Sequence, residues 1–147
     1  LSTRFNDVVS VERGPLVYAL QIGEEWTRVN ADKPHRELPH ADFEVRPTTP
    51  WNYGLAIEGG ADAAFTFEER PIGDQPFSPA GAGIVASARG QRIPGWKLER
   101  GWAGEFSVAE RRLADPSRPI STEPVEPITL LPYGCTNLRI AEFPRLG

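Results

Sequence analysis

Apolar and polar residues alternate in several short segments of the chain, and this pattern predicts β-strands. Residues 8–12 put Val9 and Val11 on one face and polar side chains on the other, which is the period of a strand with one wet face. Residues 16–22 form a mostly apolar run, typical of a strand inside a sandwich. Between them stands Arg13-Gly-Pro15, which predicts a turn because Gly tolerates positive φ and Pro fixes its own φ.

Further short strands are predicted at 43–46, 55–57, 64–68, 84–89, 92–93, 96–98, 128–131 and 138–143. Within 64–68, Phe65 and Phe67 share a face and Thr66 points away. The chain contains 15 Pro and 14 Gly, which suits short strands joined by turns. We therefore predict an all-β fold, an antiparallel β-sandwich of about nine strands. The propensities also allow one short helix, from about Ser107 to Leu113.

The length of 147 residues fits a single β-sandwich domain that spans 1–147. The chain contains no Met, and we expect it to be an excerpt from a longer protein. The continuous and alternating apolar runs predict two packed sheets. The predicted core contains Leu16, Tyr18, Leu20, Phe65, Phe67, Val85, Leu130, Leu138 and Ile140.

The charged residues and the single cysteine exclude several classes of protein. The net charge is −4, and no basic stripe indicates binding to nucleic acid. One Cys excludes an internal disulfide and a site with several thiolates. The opening residues do not form a signal peptide, and no apolar run reaches membrane-spanning length. We expect a soluble domain that does not enter a membrane, while its compartment stays open.

Few residues suggest chemistry. Cys135 lies in a turn between predicted strands, and a catalytic thiol needs a base or a metal to become a thiolate at neutral pH. We interpret Cys135 as a buried structural residue, with no catalytic, cofactor or metal role. His35 and His40 lie five residues apart in a loop broken by prolines, which is not a typical zinc spacing.

The acidic residues show no organised pair. Glu24 and Glu25 are adjacent, as are Glu68 and Glu69, and neighbours in a strand point to opposite faces. Glu12 and Glu142 are expected to pair with Arg13 or Arg139 at strand edges. Composition and spacing therefore predict no acid–base chemistry in this chain.

The aromatic residues in predicted loops are the better candidates for contacts. They are Trp51, Tyr53, Trp96 and Trp102. Aromatic rings at loop tips can stack on sugars, can fill a gap against a neighbouring domain, or can pack into the core. We favour packing in the core or between domains over sugar stacking. If residues 50–54 are extended, the rings of Trp51 and Tyr53 point to the same side.

Several motifs of the chain resemble a known family. They are the segments 8–20 and 128–143, Thr48-Thr-Pro-Trp-Asn-Tyr-Gly-Leu55, Gly73-Asp-Gln-Pro-Phe-Ser-Pro79 and Gly90-Gln-Arg-Ile-Pro-Gly-Trp-Lys-Leu98. The most specific motif is Pro132-Tyr-Gly-Cys-Thr136. Together they resemble the C-terminal β-sandwich region of bacterial glycoside hydrolase family 127, the β-L-arabinofuranosidase-like enzymes. The resemblance runs along nearly the whole chain, except for residues 100–115.

The resemblance implies a parent protein with an α/α-barrel catalytic domain ahead of this one. In that family a zinc-bound Cys and a Glu belong to the barrel, so Cys135 does not inherit their role. We expect a non-catalytic accessory domain that packs against the barrel of the same chain, with the parent able to form a homo-oligomer. The alternative is a carbohydrate-binding module that contacts arabinose-containing glycans through the loop aromatics.

Overall fold

The computed structural model describes residues 1–3, 8–101, 104–108 and 121–146. A one-turn helix, α1 (Ala61–Ala64), and a 3-10 helix (Tyr133–Cys135) interrupt a chain of strands. The strands are β1 (Ser2–Thr3), β2 (Val8–Arg13), β3 (Leu16–Leu20), β4 (Glu24–Val29), β5 (Asp42–Pro47), β6 (Tyr53–Ala56), β7 (Thr66–Glu69), β8 (Ile84–Arg92), β9 (Lys97–Gly101), β10 (Gly104–Val108), β11 (Val125–Pro132) and β12 (Phe143–Leu146). The predicted all-β class is confirmed.

Six of the strands are hydrogen-bonded in a closed circuit. β2 pairs with β12, β12 with β6, β6 with β8, β8 with β11, β11 with β3, and β3 again with β2. All these pairs are antiparallel except β6 with β12, which run parallel. β1 extends the sheet from β2, and β7 extends it from β8. Two separate two-stranded ribbons, β4–β5 and β9–β10, complete the described strands.

The main core is built from alternate residues of the strands in this circuit. Because the side chains of a strand alternate between its two faces, every second residue points to the same side. The buried members are Val9, Val11, Tyr18, Leu20, Ile22, Tyr53, Leu55, Ile57, Ala86, Ala88, Ile128, Leu130 and Phe143. The predicted core positions Tyr18, Leu20 and Leu130 are confirmed in this cluster. Phe65, Phe67, Leu138 and Ile140 are partly buried and pack against it.

Leu16 was predicted in the core, and this prediction is wrong. Its side chain is 38% exposed, although it begins a strand whose later residues are fully buried. The β2–β3 hairpin itself forms as expected, with Gly14 at a φ of +56° in its turn. Leu16 pairs with Arg13 directly beside the turn of that hairpin.

A second, smaller cluster lies on the opposite face of β8 and β11. Val85 and Leu131 pack there with Ala82 and Cys135, so Val85 is buried as predicted but outside the main core. The loop between β7 and β8 covers this face. Within that loop Gly81 is required, since a Cβ there would lie 1.9 Å from the carbonyl oxygen of Gln75.

The last predicted strand is displaced. Residues 138–142 are not in a strand, and β12 begins only at Phe143. β11 and β12 do not pair with each other, because β11 lies between β3 and β8 while β12 lies between β2 and β6. The predicted start of a helix at Ser107 is also wrong, since Ser107 and Val108 belong to β10. Residues 109–113 lie outside the described residues.

Candidate functional site

The turn after β11 carries the most specific motif of the sequence. β11 ends at Pro132, and one turn of 3-10 helix follows. Thr136 closes this turn, because both its backbone N–H and its hydroxyl donate to the carbonyl oxygen of Tyr133, at 3.4 and 3.1 Å. Arg139 then folds back, and its Nε donates to the carbonyl oxygen of Thr136 at 2.9 Å. The turn is therefore held by its own hydrogen bonds.

Arg139 also lies over an aromatic ring of the same turn. Its guanidinium carbon lies 4.7 Å from the centroid of the Tyr133 ring, within the range of cation–π contact. The predicted pairing of Arg139 with Glu142 is wrong, since no salt bridge joins them among the described residues. Arg13 behaves similarly and lies over the ring of Phe67 at 4.8 Å.

Cys135 anchors the turn to the loop before β8. Its side chain is buried, and its thiol donates a hydrogen bond to the carbonyl oxygen of Pro76 at 3.4 Å. Burial raises the pKa of the Cys135 thiol, so the thiol stays protonated at neutral pH. Nucleophilic attack and metal binding by a cysteine need the thiolate, which burial disfavours here.

Glu24 connects the β4–β5 ribbon to this turn. Its carboxylate accepts hydrogen bonds from the side-chain amide of Asn137 at 3.0 Å and from the backbone N–H groups of Asn137 and Leu138. It also accepts from Nε1 of Trp26 at 3.1 Å. Burial raises the pKa of Glu24, but these hydrogen bonds together outweigh it and leave the pKa below its ordinary value.

Four exposed aromatic residues lie on the β4–β5 ribbon, on the loop before β8 and in the turn after β11, and we call them the aromatic strip. They are Trp26, Phe43, Phe77 and Tyr133, with exposed fractions of 52%, 45%, 83% and 43%. Trp26 and Phe43 meet edge to face at 6.0 Å between ring centroids. Phe77 lies beside Gly134, the residue after Tyr133. Glu24, bonded to both Trp26 and Asn137, links the two halves of the strip.

The sequence reasoning missed the aromatic strip. A usable signal was present around Trp26, because both of its neighbouring positions on either side are polar. A strand with polar residues on both faces packs against little, so its one large ring remains exposed. For Phe77 and Tyr133 the sequence carries no comparable signal.

An open pocket of about 440 Å³ adjoins the strip at Tyr133. Its apolar wall consists mainly of Pro15, Leu16, Pro132 and Tyr133, and Glu142 and Ser10 contribute polar groups. The Ser10 hydroxyl donates to Glu12 at 2.8 Å. The exposure of Leu16 is thus explained by its position on the wall of this pocket.

The sequence-predicted aromatics lie elsewhere and are largely packed. Tyr53 and Trp96 are only 7% and 8% exposed. Trp51 is half-buried against the main core and meets Trp96 edge to face at 5.6 Å between centroids. The side chain of Asn52 holds the facing turn by donating to the carbonyl oxygens of Ile93 and Trp96. Trp102 lies outside the described residues.

Tyr53 also makes a polar contact at the edge of the core. Its hydroxyl donates to Oε1 of Glu126 at 2.5 Å. Burial, then the hydrogen bond to Glu126 and its negative charge, raise the pKa of Tyr53 to about 12, against a smaller opposing effect of Arg92. This pair ties β6 to β11 across β8.

The described ranges bring no three His, Cys, Asp or Glu side chains together as a metal site. His35 and His40 are both exposed in the loop between β4 and β5. In the part of the chain that the structure describes, no helix has the length and apolar character needed to span a bilayer.

Comparison with protein-family models, with curated proteins and with solved structures finds no match to this chain.

Proposed function

We propose that this chain is a non-catalytic accessory β-domain of a glycoside hydrolase similar to family 127, and that it packs against an α/α-barrel catalytic domain of the same polypeptide. The observation that carries the proposal is the aromatic strip beside the open pocket. Both features meet at Tyr133, inside the motif on which the family resemblance depends most.

The composition of this surface favours docking to another protein domain. Interface centres are rich in Trp, Tyr, Phe and Arg, and the residues that contribute most to binding are often Trp, Tyr and Arg. The strip supplies three of these ring types, and Arg139 supplies the guanidinium. Large exposed apolar patches are uncommon on monomers and often mark interaction sites.

The chemistry of the described residues supports a non-catalytic role. The Cys135 thiol is protonated and is hydrogen-bonded to Pro76. Among the residues that the structure describes, Glu142 is the only carboxylate that lines the pocket at Tyr133, whereas glycoside hydrolysis commonly uses two carboxylates on either side of the bond. Zinc, if the parent contains it, would belong to the catalytic domain.

The alternative is a carbohydrate-binding module that works through the loop aromatics. Stacking on a sugar needs an accessible ring face. At the loop aromatics predicted from the sequence, the burial of Tyr53 and Trp96 and the contact between Trp51 and Trp96 leave little such surface. These observations favour the accessory-domain proposal.

The docking proposal is tested by mixing this chain with the separately produced catalytic domain of its parent. We expect a one-to-one complex by sedimentation velocity. Tyr133→Asp should weaken the complex at least about tenfold, because the substitution places a charge where the Tyr133 ring would be buried. Leu38→Asp is the matched control, because Leu38 is exposed in the β4–β5 loop, outside the strip. Equal weakening by both variants would refute docking through the strip.

Two assays distinguish the alternative functions. The chain alone should not hydrolyse aryl arabinosides. Calorimetric titration with arabino-oligosaccharides at millimolar concentration should give no heat of binding. Saturable binding that is lost in Trp51→Ala would establish a binding module instead. Turnover that is lost in Cys135→Ser, or on replacing one Glu, would establish an enzyme.

A further inference from the structure

We infer that Arg139 is a preformed receptor for a carboxylate side chain of the docked domain, placed beside a pocket that takes an apolar side chain of the same partner segment. The inference rests on the proposed function, because it names the chemistry by which the two domains recognise each other. It assigns a role to the residues of the most specific motif.

The guanidinium of Arg139 is held in place on two sides. Its Nε donates to the carbonyl oxygen of Thr136 at 2.9 Å, and its central carbon lies over the Tyr133 ring, 4.7 Å from the ring centroid. Neither contact uses the two terminal nitrogens. These Nη groups form a fork that matches the two oxygens of a carboxylate. Because the side chain is already ordered, binding a carboxylate loses little rotamer entropy.

Three other arginines in the described part of the chain form salt bridges, unlike Arg139. Arg36 pairs with Asp42, Arg46 with Glu44 and Arg70 with Glu68. No such bridge joins Arg139 to a carboxylate among the described residues. An oriented but unpaired guanidinium at an apolar surface has the charge complementary to an acidic group of a partner.

The adjoining pocket defines the rest of the partner segment. Its wall is mainly apolar, with Pro15, Leu16 and Tyr133 exposed to an incoming group. Glu142 also lines it and repels a second carboxylate, so an acidic side chain is directed to Arg139. The expected occupant is a surface segment of the catalytic domain with an apolar side chain close to an Asp or Glu.

The first test uses this chain alone, with acetate as the probe. We expect the backbone N–H resonances of residues 133–139, which remain observable in every variant, to shift saturably on titration with acetate in NMR spectra at constant ionic strength. Arg139→Lys should abolish the site, because Lys lacks the fork. Arg145→Lys is the control and should leave the titration unchanged. No saturable shift at Arg139, or tighter binding of inorganic phosphate than of acetate, would overturn the assignment to a carboxylate.

The second test uses the complex with the catalytic domain. Arg139→Lys keeps the charge but loses the bidentate contact, and we expect about a tenfold loss of affinity. Arg145→Lys should bind like the wild type. Thermal unfolding of each variant shows whether the domain itself is intact. Wild-type affinity in Arg139→Lys would refute the inference while docking stands.

The acetate titration and the binding assay together show whether the docking proposal or the assignment of Arg139 is wrong. Acetate binding at Arg139 together with no complex would refute the proposed docking and leave the receptor site intact. A concentration-dependent dimer of the chain alone that Tyr133→Asp abolishes would assign the surface to a second copy. That result would overturn the choice of partner.

Discussion

The side-chain amide of Asn137 donates to the carboxylate of Glu24 at 3.0 Å and joins residues 113 positions apart in the chain. The same carboxylate accepts the backbone N–H groups of Asn137 and Leu138 and the indole N–H of Trp26. One acidic side chain therefore fixes the β4–β5 ribbon to the turn after β11. It also sets the position of Trp26 in the aromatic strip.

Glu24→Gln should destabilise the domain by about 1–2 kcal/mol at neutral pH, because an NH2 group replaces one of two oxygens that only accept hydrogen bonds. The folded state lowers the pKa of Glu24 below its ordinary value of 4.5. Its contribution is thus present above pH 4.5 and is lost as the pH falls through the lowered pKa. Urea unfolding at several pH values measures this.

We expect the difference in the free energy of unfolding between the wild type and Glu24→Gln to become smaller as the pH falls. Glu25→Gln is the control, since Glu25 is exposed on the opposite face of β4, and its effect should be small at every pH. A difference in the free energy of unfolding that stays constant below pH 4.5 would contradict the role given to the Glu24 carboxylate.

Two buried tyrosines should respond in opposite ways to loss of the hydroxyl. Tyr53→Phe removes the hydrogen bond to Glu126 and should lower the free energy of unfolding by about 1–2 kcal/mol. The hydroxyl of Tyr18 is buried and has no hydrogen-bond partner among the described residues, so Tyr18→Phe should be neutral or stabilising. Thermal or urea unfolding of both variants gives the comparison. Equal destabilisation would show that the two hydroxyls are not in these different environments.

Gly81→Ala should strongly destabilise the loop that covers the second cluster. The new Cβ would lie 1.9 Å from the backbone oxygen of Gln75. The backbone can relieve this clash only if the loop is displaced, so we expect the free energy of unfolding to fall by about 2 kcal/mol or more. Gly134→Ala is the control, because its nearest neighbour would be Phe77 at an ordinary 3.8 Å. Similar stability of the two variants would contradict this packing.

The Cys135 thiol should react with a disulfide reagent only after unfolding. Burial and the raised pKa keep the thiolate population low in the folded domain. Labelling kinetics in buffer and in concentrated urea measure the difference. Cys135→Ser should lower the free energy of unfolding by an amount on the order of 1–3 kcal/mol. It should leave the zinc content of the protein unchanged. Rapid labelling of the folded protein, or zinc that disappears in the variant, would show an activated thiol.

Local pattern alone was sufficient for several parts of this protein. The β2–β3 hairpin follows from Arg13-Gly-Pro15 between two apolar segments, because turn chemistry acts over a few residues. The shared face of Phe65 and Phe67 follows from the two-residue period of a strand. Burial of Cys135 follows from the small apolar character of a free thiol.

Only the tertiary structure decided which apolar residues stay exposed and which distant residues meet. Leu16 lies in an apolar strand but faces an open pocket, while Tyr53 and Trp96 were predicted in loops but are covered. Glu24 reaches Asn137, and Cys135 reaches Pro76, through strand pairings with large separation in sequence. Periodicity specifies the face of a strand, but burial depends on the neighbour that covers that face, and that neighbour is chosen by the whole chain.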